Sequence, residues 1–446
     1  MIKFLNICDE IKYRIKTIII KQRKIIDNLN INILTFDFPI EETKKDYNFQ
    51  TNFFLNLQMN KEDISYHVSL FKKRWFNKHY FSKFEFLHDG TLRVKIGNKL
   101  ILKYAHLPKI QKVQSFFNIS YYFHKTLNES FNINELRSFF HASTISKMLD
   151  SVNIPFNFEI INESKTPNVL LKTLCKDFEI IPDLFFDEHL LTTFNFFEII
   201  EKKLAPHIIE RGDEMYINKF SLLTEEDILI KKDNKYTDFF IFLTRHFVIL
   251  SRGYTHQIVF NFEISEEFIT NVKKILELLK CDVKFFFFTF YNKNLTINYN
   301  QIANDYSKAT IKFILNFFNQ KTFCDLNNKN YLTSFNIEKL NYMFFCNVLK
   351  SVKEKCKAIA LNKKNNKLDY HFIFTSYNYD LLLTLAKFSW VQTNVFSSCC
   401  VKPLAEYSLV LAEQVSSLLK NMTLNDENIL LYSCFIMEKI SNLLFL

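Results

Sequence analysis

Between Phe71 and Lys83 the chain places five basic residues, one histidine and five aromatics in thirteen positions, with no acid among them. Lys and Arg neutralise phosphates and release counterions, the main sequence-independent source of affinity for nucleic acid. Trp, Tyr or His set among them can stack on unpaired bases. The following segment adds Arg93, Lys95, Lys99 and Lys103. In an alternating strand, Arg93 and Lys95 fall on the face opposite Leu92, Val94 and Ile96. The candidate RNA-binding residues are therefore Lys72, Lys73, Arg74, Lys78, His79 and Lys83, with Arg93, Lys95, Lys99 and Lys103. The competing reading is a plain solvated face, because 16% aromatic content scatters rings among lysines by chance.

Residues suited to bond-making chemistry are sparser. Asp187-Glu188-His189 sets two carboxylates beside an imidazole and has the makings of an acid–base group. The same acids suit the first turn of a helix, which favours negative charge, and that reading carries more weight. Arg245-His246 lies inside the apolar stretch Phe239–Leu250 and reads as a satisfied core or interface pair. The four glycines stand at 90, 97, 212 and 253, so no GxGxxG, GxxxxGK[ST] or GxSxG can be built. CxxC, HExxH and EF-hand loops are also missing. Nine scattered cysteines without a secretory leader read as reduced, mostly buried thiols of a cytosolic or nuclear protein. Adjacent Cys399 and Cys400 lack zinc-knuckle spacing and read as packing. The expectation is no catalytic residue, no cofactor and no metal.

Charge gives the chain a direction. Residues 1–150 hold 24 Lys and Arg against 14 Asp and Glu, a surplus equal to the net +10 of all 446 residues. The remaining residues are balanced, so one end is suited to an anionic partner. Hydrophobic residues make up 48%, which supports sizeable cores. No stretch approaches the about 20 apolar residues of a membrane-spanning helix, and the expected location is cytoplasmic.

The elements that must position these residues follow from periodicity. Residues 2–28 form an amphipathic helix on Ile11, Ile15, Ile18 and Ile25, followed by a short strand, Asn32–Phe38. Residues 81–104 predict a three-stranded antiparallel meander, turning at Asp89-Gly90 and Gly97-Asn98 and closing with Leu100–Tyr104. Helices are expected at Asn134–Val152, Asn168–Phe178 and His189–Leu204. A β-α-β unit spans 256–291, with Ser265 as N-cap. Three apolar stripes define later helices, through Ile302–Phe317, Leu404–Leu418 and Asn428 to the end. The fold class is α+β: a basic, meander-containing region 1–150, a mixed α/β region 151–300 and a mainly helical region 301–446.

Composition adds a resemblance. With 51 Phe, 20 Tyr, 4 Gly and 7 Pro, the chain is rich in residues read from AT-rich codons and severely poor in Gly. Its profile resembles that of microsporidian proteins, and in length, basic first third and lack of enzyme motifs it is similar to the microsporidian dormancy factor family. That family binds idle ribosomes near the exit (E) tRNA site of the small subunit. The resemblance implies a non-catalytic ribosome-binding factor that blocks tRNA and mRNA passage by its volume. Its partners would be rRNA and small-subunit ribosomal proteins, with no membrane and no small-molecule substrate. The alternatives are a scaffold subunit of another large assembly and a diverged nucleic-acid-processing enzyme.

Overall fold

Alternation at residues 81–96 produces antiparallel strands, but within a four-stranded sheet. Its strands are β1 (Phe36–Asp37), β2 (Phe49–Thr51), β3 (Phe81–Phe86) and β4 (Leu92–Ile96), paired in the order β1-β2-β4-β3. The computed structural model describes residues 6–11, 13–14, 36–37, 49–51, 80–87, 91–105, 116–123, 130–162, 169–177, 182, 184–186, 195–260, 265–281, 284–288, 296–298, 308–317, 342–362, 378–398, 400–423 and 426–444. Most of the expected first helix lies outside these residues; 7–11 and 13–14 are helical.

The expected third strand is a helix, α1 (Asn98–Tyr104). Leu100, Ile101 and Ala105 are all fully buried, an i, i+1, i+5 spacing that lies on one helical face and that alternation would have split between two. Gly97 is extended (φ −84°, ψ 155°) as the N-cap, so no tight glycine turn exists there. The second partner of β4 is instead β2.

A parallel sheet forms the centre. Its first strand is β5 (Phe117–Phe123), followed by the short β6 (Ser130–Asn132), α2 (Ile133–Asp150), β7 (Phe156–Asn162), α3 (Val169–Asp177) and β8 (Leu184–Phe186). The chain then leaves the sheet through α4 (Phe196–Leu204), β9 (Ile208–Arg211), β10 (Glu214–Ile217), α5 (Lys219–Leu222), β11 (Ile228–Lys232) and β12 (Lys235–Tyr236). Strands β9 to β12 form an antiparallel sheet, in which Gly212 (φ 64°) takes the left-handed conformation between β9 and β10. Helix α6 (Asp238–Ser251), capped by Thr237, returns the chain to β13 (His256–Phe260). Ser265 caps α7 (Glu266–Leu278), accepting from Phe268 N–H as the sequence predicts, and β14 (Lys284–Phe288) completes a parallel β-α-β unit. Short β15 (Thr296–Asn298) pairs with β6.

The remaining described helices are α8 (Lys308–Phe317), α9 (Tyr342–Asn362), α10 (Tyr379–Ser398), α11 (Lys402–Lys420) and α12 (Glu427–Leu444). Sequence periodicity supplied α8, α11 and α12 but not α9 or α10. Helix α10 has no clean stripe because residues 381–386 are all buried. It is clasped by α11 on one side and α1 on the other, and Tyr379 donates to the Ile96 carbonyl at 2.8 Å. The chain is thus α+β, with a sheet-containing N-terminal part and a helical C-terminal part.

Each face of the parallel sheet has its own core. Ile119, Tyr121, Phe158, Ile160, Ile258 and Phe260 pack against α2 and the C-terminal helices. Tyr122, Ile161 and Val259 point the other way, into a core with α4, α6 and α7. Period-2 alternation in strands covered on both faces requires this division.

Candidate functional site

The parallel strands lie in the order β8-β7-β5-β13-β14, which in order of appearance is third, second, first, fourth, fifth. The chain winds outward from β5 through β7 to β8, then crosses to the opposite side of β5 with β13 and β14. In open sheets of this kind, ligands bind outside the carboxyl ends of the strands where the winding reverses. That point lies between β5 and β13, beyond Tyr121, Tyr122 and Phe260.

Two helix N-termini frame the crevice. Asn132 caps α2 by accepting from Asn134 N–H at 2.9 Å, and Asn134 and Glu135 in its first turn are buried. The Tyr121 hydroxyl donates to the Glu135 carbonyl at 3.4 Å, tying the strand end to the helix start. Helix α7 enters from the other side with Glu266 and Glu267 in its first turn. Acids therefore complement both helix dipoles. Neither connecting segment, 124–132 nor 261–265, contains a glycine. A phosphate here would be held by side chains rather than by close approach of glycine backbone.

Behind the crevice runs a buried polar seam. On α2, Arg137, Ser138, His141 and Thr144 follow one another at helical spacing and are fully buried. They face α8, where Lys312 and Asn316 are also buried, and Asn316 Nδ2 donates to Thr144 Oγ1 at 3.2 Å. Burial, reinforced by Arg137, pushes the His141 imidazole down to about 3. Burial and the neighbouring Lys147 push the Lys312 ammonium well below its ordinary value. His141 and Lys312 of the seam are thus both disfavoured in their charged forms.

The opposite face of the sheet carries two further buried networks. Glu159 Oε1 accepts from Asn118 Nδ2 at 2.9 Å and from Ser120 Oγ at 2.6 Å, while Asn157 Nδ2 donates to Asn118 Oδ1 at 2.7 Å. Beside them, Tyr122 meets His246, which also meets Gln257, and the Arg245 guanidinium lies 5.3 Å from the centre of the Tyr122 ring. Arg245 and His246 are thus both buried, as their apolar surroundings predicted; His246 has both ring nitrogens partnered, whereas Nε and Nη2 of Arg245 donate no hydrogen bond among the described residues. Asn118, Ser120, Tyr122 and Glu159 escaped sequence reading. Their one signal is polar residues at every second position of a strand, which ordinarily marks a solvated face.

The basic candidates divide. Lys72, Lys73, Arg74, Lys78 and His79 lie outside the described residues, as do Asp187-Glu188-His189 and Cys399. Lys83 is exposed on β3. Arg93 lies 3.8 Å from Glu85 and Lys103 bonds Glu10 at 3.1 Å, so part of the expected charge is spent within the protein. Lys95 and Lys99 sit over the rings of Tyr379 and Tyr80, at 5.3 and 5.7 Å. Arg93 and Lys95 do lie opposite the buried Leu92, Val94 and Ile96, whereas Lys99 and Lys103 belong to α1 rather than to a strand. Among the described residues no three His, Cys, Asp or Glu converge on a metal site, and no helix is long and apolar enough to cross a membrane.

The strand order defines a doubly wound, Rossmann-type sheet, extended by an N-terminal antiparallel sheet and a C-terminal helical body. The same overall arrangement is found in the arginyl-tRNA synthetase of Plasmodium falciparum, which superimposes with a TM-score of 0.73 over 100% of this chain and 99% of its own, at 13% identity. The arginyl-tRNA synthetase of Thermus thermophilus superimposes with a TM-score of 0.74 over 98% of this chain and 99% of its own, at 10% identity. No protein-family model and no curated protein sequence matches the chain.

These likenesses overturn the expectations built on composition. The fold is that of arginyl-tRNA synthetases, so the resemblance to ribosome dormancy factors falls. With it go the non-catalytic blocking role, the ribosomal exit-site partner and the absence of a small-molecule substrate. The physical reason is that codon bias changes which apolar residue fills a core, and leaves strand order and crossover direction untouched. Any chain from such a genome shares the composition, whereas the winding of the sheet is particular to the fold.

Proposed function

We propose that this chain is an aminoacyl-tRNA synthetase of the arginyl type, joining an amino acid to tRNA at the expense of ATP in the cytosol. The observation that carries the reading is the likeness to two arginyl-tRNA synthetases over essentially the whole length of both partners. A shared sheet alone would support only a nucleotide-binding class, since many functions use one fold. The switch-point crevice beyond Tyr121, Tyr122 and Phe260 is the proposed place for the small substrates. The polyanionic partner suits the basic first third of the chain. Lys83, Lys95 and Lys99, with Lys72, Lys73, Arg74, Lys78 and His79, are the proposed tRNA contacts.

The test is ATP-dependent attachment of labelled arginine to total tRNA by the purified full chain, run beside tRNA binding at increasing salt. Charging with arginine and binding that weakens steeply with salt are expected. Charging with a different amino acid would overturn the arginyl assignment. Binding without charging would overturn the catalytic half of the proposal. Failure to bind tRNA at low salt would sink it entirely.

A further inference from the structure

In the C-terminal body, α9 and α12 pack against each other and bring two cysteines together. Cys356 on α9 and Cys434 on α12 are both free thiols, 9% and 8% exposed. Cys356 Sγ donates to the Leu430 carbonyl at 3.8 Å, one turn before Cys434 on the facing helix, which sets the two thiols beside each other across the helix pair. One turn outward, Lys353 of α9 and Glu438 of α12 form an ion pair at 3.0 Å, which fixes the register of the two helices around the sulfurs.

We propose that Cys356 and Cys434 form a reversible redox pair, closed into a disulfide by hydroperoxides and reopened by thiols, that staples α9 to α12. The two sulfurs divide the labour. The neighbouring Cys434 and burial together push the Cys356 thiol up. The adjacent Cys356 holds Cys434 below its ordinary value, with Lys353 helping and burial and Glu438 opposing. Thiolate character directs oxidation, so Cys434 is the attacking sulfur.

Cys434 attacks one peroxide oxygen, forming S–O and breaking O–O, and the departing hydroxide takes a proton to leave as water. Cys356 then attacks the sulfenic sulfur. The S–S bond forms, the S–O bond breaks, and the hydroxyl leaves with the Cys356 proton as a second water. Two thiols supply the two electrons that reduce one O–O bond. A thiol reductant reverses the link by exchange. The nearly buried position admits a small peroxide and hinders larger oxidants.

The experiment exposes the native full chain to hydrogen peroxide, blocks remaining thiols and maps the cysteines by mass spectrometry. Met343, 63% exposed on α9, reports that oxidant has reached the surface. The expected result is a linked Cys356–Cys434 peptide that dithiothreitol separates, and a melting temperature several degrees higher while linked. In Cys356→Ser, Cys434 should accumulate as a sulfenic acid trapped by dimedone; in Cys434→Ser, Cys356 should stay reduced. Wild-type Cys434 advancing to sulfinic acid without a link would overturn the proposal. So would both thiols remaining reduced after Met343 has become sulfoxide, or either thiol pairing instead with Cys346 or Cys400.

Discussion

The Tyr122 hydroxyl lies 2.9 Å from His246 Nε2, joining the first parallel strand to the helix that leads into the fourth. His246 Nδ1 is 2.6 Å from Gln257 Oε1, and Gln257 Nε2 donates back to the His246 carbonyl at 3.0 Å. An amide oxygen can only accept, so Nδ1 carries the proton and Nε2 accepts from Tyr122. The imidazole is thereby fixed neutral, in one tautomer, on the seam between β5 and β13 where the winding reverses.

Acid should unfold the protein through its buried histidines. Burial, reinforced by Arg245 and Arg137 respectively, brings His246 and His141 down to about 3. An unfolded histidine titrates near about 6.5. Between these values the unfolded state binds protons that the native state refuses, so stability is full above about pH 6.5 and falls as pH drops toward 3. Each histidine contributes a slope of about 1.4 kcal/mol per pH unit inside that window. Thermal melts at successive pH values check this; a melting temperature flat from pH 6.5 to 4.5 would contradict it.

Replacing the buried Glu159 should separate charge from hydrogen bonding. Glu159→Gln keeps an acceptor for Asn118 and Ser120 and should cost no more than about 1 kcal/mol. Glu159→Leu leaves both donors buried without that acceptor, at about 1–3 kcal/mol for each. Denaturant melts of the two variants give the comparison, and equal losses would mean that the network does not depend on the Glu159 oxygen.

Leu223 ends α5 in the left-handed region at φ 53° while 87% exposed. A leucine there is strained and has no packing to compensate, whereas glycine takes that conformation freely at a helix end. Relief of the roughly 1–2 kcal/mol cost of a left-handed L residue, less the roughly 0.5–1 kcal/mol entropic cost of glycine, should leave Leu223→Gly more stable by about 0.5–1 kcal/mol, read as a raised denaturation midpoint. A lower midpoint would show that Leu223 packs more than its exposure indicates.

Removal of the chain from Asn428 should leave the protein insoluble. Helix α12 buries Ile429, Leu430, Tyr432, Ile436, Met437, Ile440, Leu443 and Leu444 against α9, α11 and α2. Its loss would bare the apolar surface it covers, which a soluble monomer rarely tolerates. A truncated chain that stays soluble and melts cooperatively would make α12 peripheral.

Local rules carried far in this sequence where burial is one-sided. Ser265 before two glutamates and the stripe Val272, Ile275, Leu279 marked α7 between two strands, and the structure places a parallel β-α-β unit there. The stripes of α11 and α12 and the buried reading of Arg245-His246 came from the same reasoning, because an apolar face against a polar one leaves a period in the sequence. Complete burial erases the period in α10, which is sheathed on nearly all sides and which the sequence does not predict, whereas α2, buried as fully, is predicted at Asn134–Val152. Polar Asn118, Ser120 and Glu159 carry no sequence signal that separates a sealed network from a solvated strand face.

Only tertiary structure decided the rest. Leu100–Tyr104 is a helix because Leu100, Ile101 and Ala105 must reach one neighbour, α10, which no local rule supplies. The crevice between β5 and β13 joins residues more than a hundred positions apart, and Cys356 meets Cys434 across two helices. Composition and charge, being sums over residues, pointed to an anionic partner and misdirected the choice of family. The strand order 3-2-1-4-5, a relation among distant segments, set the fold beside the arginyl-tRNA synthetases instead.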